Sequence, residues 1–302
     1  MIRIIDGLGR PSNAPGFDIS TATAFLGQGA DSYKVKAYDL GNGQLEATAS
    51  RCIEWVECDW SQGTIRDHLD MIARHREDNA EEVSLLHAER AAQRARKRVR
   101  QLCKVMGTNS MITLTYRALM TDLALCKRHL NEFNRRLKRF LPGFQCVAGF
   151  EKQKRGAWHV HLATAGIPHF FMEKNSLGVP CKVKSYDLLR RIWLSVVGDL
   201  GGAANLSRAK GKGSTCAKIA AYIAKYITKE FAEGEKWSNR WAKFGKCEVP
   251  LPVDLGVFGN LLDALQAVYS VLMPGQVVGQ SFLPRFQDFY FLSAENGLLS
   301  SP

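Results

Sequence analysis

The 302 residues, 46% of them hydrophobic, suffice to bury a full core, so a disordered chain is excluded as the default reading. There is no run of about 18 apolar residues, and residues 1–10 lack the basic-then-apolar order of a secretion signal, so the chain reads as a soluble cytoplasmic protein with no membrane partner. The net charge of +12 is placed unevenly: residues 1–87 carry 8 Lys+Arg against 14 Asp+Glu, residues 88–246 carry 32 against 10, and residues 247–302 carry 1 against 5. Solubility alone gives no reason to gather positive charge between two acidic segments, whereas a polyanion partner does, most simply nucleic acid. The charge boundaries suggest an acidic N-terminal extension of unassigned role (1–87), a basic catalytic and DNA-binding domain (88–246), and a C-terminal segment (247–302) for docking or partner contact. The eight cysteines are scattered without a C-x-x-C pair, which points to reduced thiols and not to a zinc or redox site.

In chain order, residues 1–50 are rich in Gly, Ser, Ala and Asp and read as a loose or small β-containing leader. From Thr64 to about Val105 the composition turns helical, and residues 91–100 (AAQRARKRVR) crowd Arg94, Arg96, Lys97, Arg98 and Arg100 onto a solvated face or a DNA-backbone contact. Residues 111–116 (MITLTY) alternate as a strand with Thr113 and Thr115 on one face. Thr121 and Asp122 offer a cap to a helix whose Leu130, Phe133, Leu137 and Leu141 recur at helical spacing, stopped by Pro142-Gly143. Residues 144–150 and 157–164 read as strands joined by the polar turn KQKRG. Ser185 is expected to cap a helix to about Val197, residues 198–213 to form a flexible basic loop, and Ser214 to cap a last strong helix to about Phe231. This order indicates an α+β domain around a mainly antiparallel sheet, helices on one face and the other face open.

The chemistry gathers in two places. His159 and His161 of HVH share one face of their strand, opposite Trp158, Val160 and Leu162, about 7 Å apart at the Cα level and within reach of one metal ion. Glu151 ends the preceding strand and can approach His159 across the turn. Two nitrogens and a carboxylate leave coordination positions for a substrate phosphate on Mg²⁺ or Mn²⁺. Glu151 as a plain surface charge beside Lys152 and Lys154 is the alternative. In residues 220–230 (AAYIAKYITKE), Tyr222 and Tyr226 stack one turn apart, and Lys225 and Lys229 follow each by three. Core packing would explain the isoleucines. Two phenols paired with two ammoniums fit nucleophiles instead, because a neighbouring cation favours the phenolate or offsets developing phosphorane charge. Around these motifs Arg117, Lys152, Lys154, Arg155, Arg208, Lys210, Lys212 and Lys218 are expected to contact DNA phosphates. Trp237, Trp241 and Phe244, interleaved with lysine and arginine, either stack on unpaired bases or close the core.

Taken together, Thr113-Leu-Thr-Tyr116, Glu151 with His159-Val-His161, and Tyr222-Ile-Ala-Lys-Tyr226-Ile-Thr-Lys229 resemble the three ordered motifs of HUH endonucleases, and most closely the two-tyrosine rolling-circle replication initiators of single-stranded-DNA phages and plasmids. The resemblance covers about residues 105–235. It implies a ferredoxin-like, RRM-like nuclease sheet, with Thr113 and Thr115 lining it beside the site. One tyrosine would attack the origin phosphate to form a 5′-phosphotyrosine, and the second would cut the regenerated origin. Since no G-x-x-x-x-G-K-[ST] phosphate loop is present, such an initiator in a bacterial cytoplasm would borrow a host helicase. A related tyrosine transposase or relaxase, a non-catalytic nucleic-acid-binding regulator, and a metal-dependent phosphoesterase are the alternatives.

Overall fold

The computed structural model describes residues 1–174, 176–208, 216–229 and 240–297, the side chains of residues 226–229 excepted. Lys210, Lys212, Ser214, Lys236 and Trp237 therefore lie outside the described residues, as do the side chains of Tyr226 and Lys229.

The chain divides into two compact units, one formed by residues 1–38, 45–87 and 251–294, the other by residues 39–44, 88–250 and 295–302. In the first unit, strands β1 (Ile2–Ile5), β2 (Thr23–Asp39) and β3 (Leu45–Glu57) join β11 (Val253–Phe258), β12 (Gln276–Phe282) and β13 (Phe289–Asn296) in one sheet of order β1-β2-β3-β13-β12, with β11 paired to β2. The two ends of the chain thus share a sheet, and residues 1–50 are largely well-formed strand, where composition alone suggests a loose leader. Composition cannot show this because the partners of β2 and β3 lie more than 200 residues away. Helix α1 (Gln62–Asp78) starts at the Ser61 cap, and α6 (Leu261–Ser270) starts at Asn260, whose side chain accepts from the Asp263 amide. Ala264 and Val268 of α6 pack on Val35, Ala47 and Leu292.

The second unit is built on a five-stranded antiparallel sheet of order β10-β5-β6-β4-β9, from β4 (Ser110–Tyr116), β5 (Cys146–Lys152), β6 (Trp158–Thr164), β9 (Gly202–Arg208) and β10 (Trp241–Phe244). The expected α+β class with a mainly antiparallel sheet and flanking helices is what the structure has. Helix α3 (Leu123–Leu137) is capped by Asp122, which accepts from the Leu125 amide at 2.9 Å, and it buries Leu130, Phe133 and Leu137. Helix α4 (Ser185–Val197) joins it over the same sheet face, where Leu114, Phe150, Val160, Leu162 and the wholly buried Trp193 form the core. Removing a side chain such as Trp193 from a packed core costs about 3–5 kcal/mol.

Three expectations are corrected. Ser185 is the first residue of α4 and not its cap: Lys184 holds the cap position, and the Ser185 hydroxyl donates to the Pro168 carbonyl. Within the glycine-rich stretch, residues 202–208 form strand β9, because Gly202 fits flush against the Thr115 carbonyl and Trp193, where a Cβ would sit 2.3 and 2.7 Å from them. The second sheet face is not open along its length. Helix α5 (Cys216–Lys229) and residues 99–103 of α2 (Ala80–Val105) cover part of it, with Ile219, Ala220, Ile223 and Ala224 packed on Val147, Ala163, Val99 and Leu102. Trp241 joins the partly buried side chains there, as a strand residue of β10.

Candidate functional site

The strand register lays the second sheet face out in rows. Val147, Ala163 and Met111 form an apolar row beneath the helices. The next row runs Trp241, Gly149, His161, Thr113 and Asn205 across all five strands. The one beyond pairs Glu151 with His159, and Thr115 with Ala203. Because side chains on paired residues of neighbouring strands lie about 4.5–5.5 Å apart at Cβ, three donors from two strands converge without any loop to hold them. At Gly149 the helix comes closest: a Cβ there would stand 3.7 Å from Ile223 Cγ2 and 3.9 Å from the Ile223 carbonyl. The polar rows are thus what α5 leaves uncovered.

Glu151 Oε2 lies 2.7 Å from His159 Nε2 and 3.0 Å from His161 Nε2, and the three ligand atoms fall within 4.8 Å of one another. The other ring nitrogens have partners of their own: Thr113 Oγ1 stands 3.1 Å from His161 Nδ1, and Gln153 Nε2 stands 3.3 Å from His159 Nδ1. Both Nε2 atoms therefore face a single carboxylate oxygen, the outer-partner arrangement that orients imidazoles in metal centres. His161 is 4% exposed. Burial, followed by the charge of His159, lowers its pKa against the opposing pull of Glu151, so the ring favours the neutral form that a metal requires. Two imidazole nitrogens and one carboxylate oxygen suit a divalent cation of borderline hardness.

Helix α5 brings Tyr222 to this cluster. Its ring meets the His161 ring edge to face at 5.7 Å between centroids and 86° between planes, and it is 39% exposed. Lys218, Tyr222 and Lys225 lie on the exposed side of α5, while Ile219, Ala220, Ile223 and Ala224 form its buried stripe. Tyr226 and Lys229 belong to the same helix by backbone. Tyr116, the aromatic residue of the first motif, lies on the other sheet face with its hydroxyl 3.1 Å from His129 Nδ1, and burial pushes its phenol well above the ordinary range. It has neither the place nor the acidity of a nucleophile.

The basic residues named from the sequence divide by engagement. Arg155 donates to the carbonyls of Tyr116 and Arg117 and to Gln153 Oε1 (2.9 Å), and so fastens the β5–β6 turn to the end of β4. Arg208 donates to the carbonyls of Ile167 (2.6 Å) and Pro168 (2.7 Å). Lys152 lies over the Trp158 ring at 5.6 Å. Arg117, Lys154 and Lys218 are exposed. Two residues escape sequence reasoning. Gln153 looks like a plain polar turn residue, although its place two positions after Glu151 on the same strand side is a signal that could raise it. Asn205 falls in a glycine-rich stretch with the look of a loop, and only the register of β9 puts it beside Thr113.

No curated protein and no solved structure matches the chain. Residues 109–231, which include Glu151, His159, His161 and Tyr222, match a family model, and over that segment the chain is similar to the replication-associated protein family of the ORF2 type.

Proposed function

We propose that the chain is a rolling-circle replication initiator of the HUH type, which nicks and rejoins single-stranded origin DNA through a 5′-phosphotyrosine. The observation that carries the reading is the Tyr222 ring 5.7 Å from that of His161, whose Nε2 is 3.0 Å from Glu151. A phenol beside a metal-ligand set has no purpose in a binding module and a clear one in phosphodiester exchange. The likeness to a replication-associated family over residues 109–231 supports the same conclusion.

In this reading Glu151, His159 and His161 hold Mg²⁺ or Mn²⁺, which supplies charge neutralisation and polarisation of the scissile phosphate. The Tyr222 oxygen forms a bond to phosphorus as the bond to the 3′ oxygen breaks. The phenol gives up its proton and the departing 3′ oxygen takes one up, so the exchange needs no outside reagent and keeps its bond energy for rejoining. Lys225 offsets charge building on the phosphorane. Tyr226, with Lys229, serves as the second nucleophile, cutting the regenerated origin. Arg117, Lys154 and Lys218 track the phosphates, and strand separation falls to a host helicase.

The test is to incubate the protein with labelled single-stranded origin oligonucleotides and Mn²⁺ and to look for a covalent adduct on a denaturing gel. Tyr222→Phe with Tyr226→Phe is expected to abolish the adduct, either alone to leave part of it, and Glu151→Ala to abolish it. An undiminished adduct in the double variant would move the nucleophile elsewhere.

A further inference from the structure

Between the strand that carries both histidines and helix α4, the chain inserts a two-stranded ribbon, β7 (Phe170–Lys174) and β8 (Pro180–Lys184). Its register pairs Phe170 with Lys184, Met172 with Lys182 and Lys174 with Pro180. Alternation then divides the ribbon into two faces. The inner face holds Phe171, which packs into the core, and Val183 against it, while Glu173 forms an ion pair with Arg191 of α4. The outer face is Phe170, Met172, Lys174, Pro180, Lys182 and Lys184, every one of them exposed, with Phe170 at 50% and Met172 at 61%.

We propose that this outer face is a second nucleic-acid contact, and that its ligand is single-stranded DNA. Three lysines and no carboxylate on one small surface are complementary to phosphate. The choice of single strand rests on the other half of the face. A duplex presents phosphates and hides its bases, so Phe170 and Met172 would meet nothing on it, whereas unpaired bases offer π-faces that aromatic side chains stack on without regard to sequence. Phe170 and Met172, two residues apart along a strand, stand about 7 Å from each other. That is about twice the roughly 3.4 Å nucleotide spacing of a B-DNA strand, the separation of nucleotides pulled out of their stack.

The ribbon's core residue Phe171 belongs to the hydrophobic cluster on the sheet face opposite His159 and His161, so the contact is separate from the metal-ligand cluster. A strand held there is held apart from the phosphate being cut. The inference rests on the reading of single-stranded DNA as the substrate, and it adds a grip that outlasts the reaction at the tyrosine.

The experiment uses the full chain in EDTA, so that no cleavage occurs, and measures binding of a fluorescent oligonucleotide, single-stranded or annealed, by anisotropy over a range of salt. The variants are Phe170→Ala with Met172→Ala, and Lys174→Gln with Lys182→Gln and Lys184→Gln. Circular dichroism and thermal melts should match the parent, because all five side chains are solvent-facing. The Phe170 and Met172 double variant is expected to weaken single-strand binding about tenfold and leave duplex binding unchanged. The lysine triple variant is expected to reduce the slope of log affinity against log salt by about 2, at roughly 0.7 for each phosphate no longer neutralised. Unchanged single-strand affinity and slope in both sets would overturn the proposal, as would equal losses on duplex and single strand. Adduct formation by the parent protein is scored in parallel with Mn²⁺. Failure there removes the proposed function, whereas an adduct-forming parent with unaltered ribbon variants removes only the second DNA contact.

Discussion

Thr113→Val isolates the hydroxyl that stands 3.1 Å from His161 Nδ1, because valine keeps the branched shape and removes only the polar atom. His161 is almost wholly buried, so water is a poor substitute for the missing bond, and its Nε2 shares Glu151 Oε2 with His159. Removing an outer partner of a metal-bound imidazole typically costs about 10- to 100-fold in metal affinity, about 1.4–2.7 kcal/mol. Titration of Mn²⁺ by calorimetry, without DNA, should therefore show a dissociation constant raised by about that factor, with Thr113→Ser close to the parent. Thr115→Val is the control: its hydroxyl donates to the Ala203 carbonyl at 3.3 Å and touches neither histidine, so its Mn²⁺ affinity should stay within about twofold of the parent. If Thr113→Val binds Mn²⁺ as the parent does, or if both valine variants lose equally, the outer-partner reasoning is wrong.

Gln153→Ala removes the side chain beside His159 Nδ1 and frees Arg155 from Gln153 Oε1; weaker Mn²⁺ binding with an unchanged melting temperature is expected, read by the same calorimetry and a thermal melt. Gly202→Ala forces a Cβ against the Thr115 carbonyl and the Trp193 indole nitrogen, which themselves bond at 2.9 Å, and should cost about 1–3 kcal/mol in urea unfolding. In the other unit, burial works against the charge of Asp6, yet hydrogen bonds from Arg10, Asp18 and Leu8 outweigh it and hold the carboxyl down to about 2, below its ordinary 3.8. A depressed folded pKa contributes stability that is present above the ordinary value and lost as pH falls through the folded one. Asp6→Asn should accordingly be less stable than the parent in urea at about pH 5, and the gap should close towards about pH 2. A gap that persists there would assign the effect to packing instead of charge.

The HVH spacing, the position of Glu151 at the end of the preceding strand and the Tyr-x-x-Lys repeat are legible in the chain because each depends on a local period. Strand alternation puts His159 and His161 on one side whatever surrounds them, and a hairpin of known turn length brings Glu151 opposite His159. Helical spacing likewise separates Tyr222 from the buried Ile219 and Ile223. The Asp122 cap and the buried stripe of α3 are local too, and the structure has both.

Sequence cannot supply what distant partners set. Pairing of β13 with β3 and of β11 with β2 joins segments at opposite ends of the chain, and no local pattern encodes the partner of an antiparallel strand. Strand β9 is hidden for a related reason: small residues such as Gly202, Ala203 and Ala204 show weak strand propensity, and the place beside β4 that only small residues fit exists only after folding. By itself the sequence determined which side chains share a face and that the charge of residues 88–246 calls for a polyanion. Tertiary structure alone decided that α5 covers the apolar row and stops at Gly149, leaving Glu151, His159 and His161 uncovered with Tyr222 against them, because the height of a helix over a sheet is set by the bulk of the residues between them.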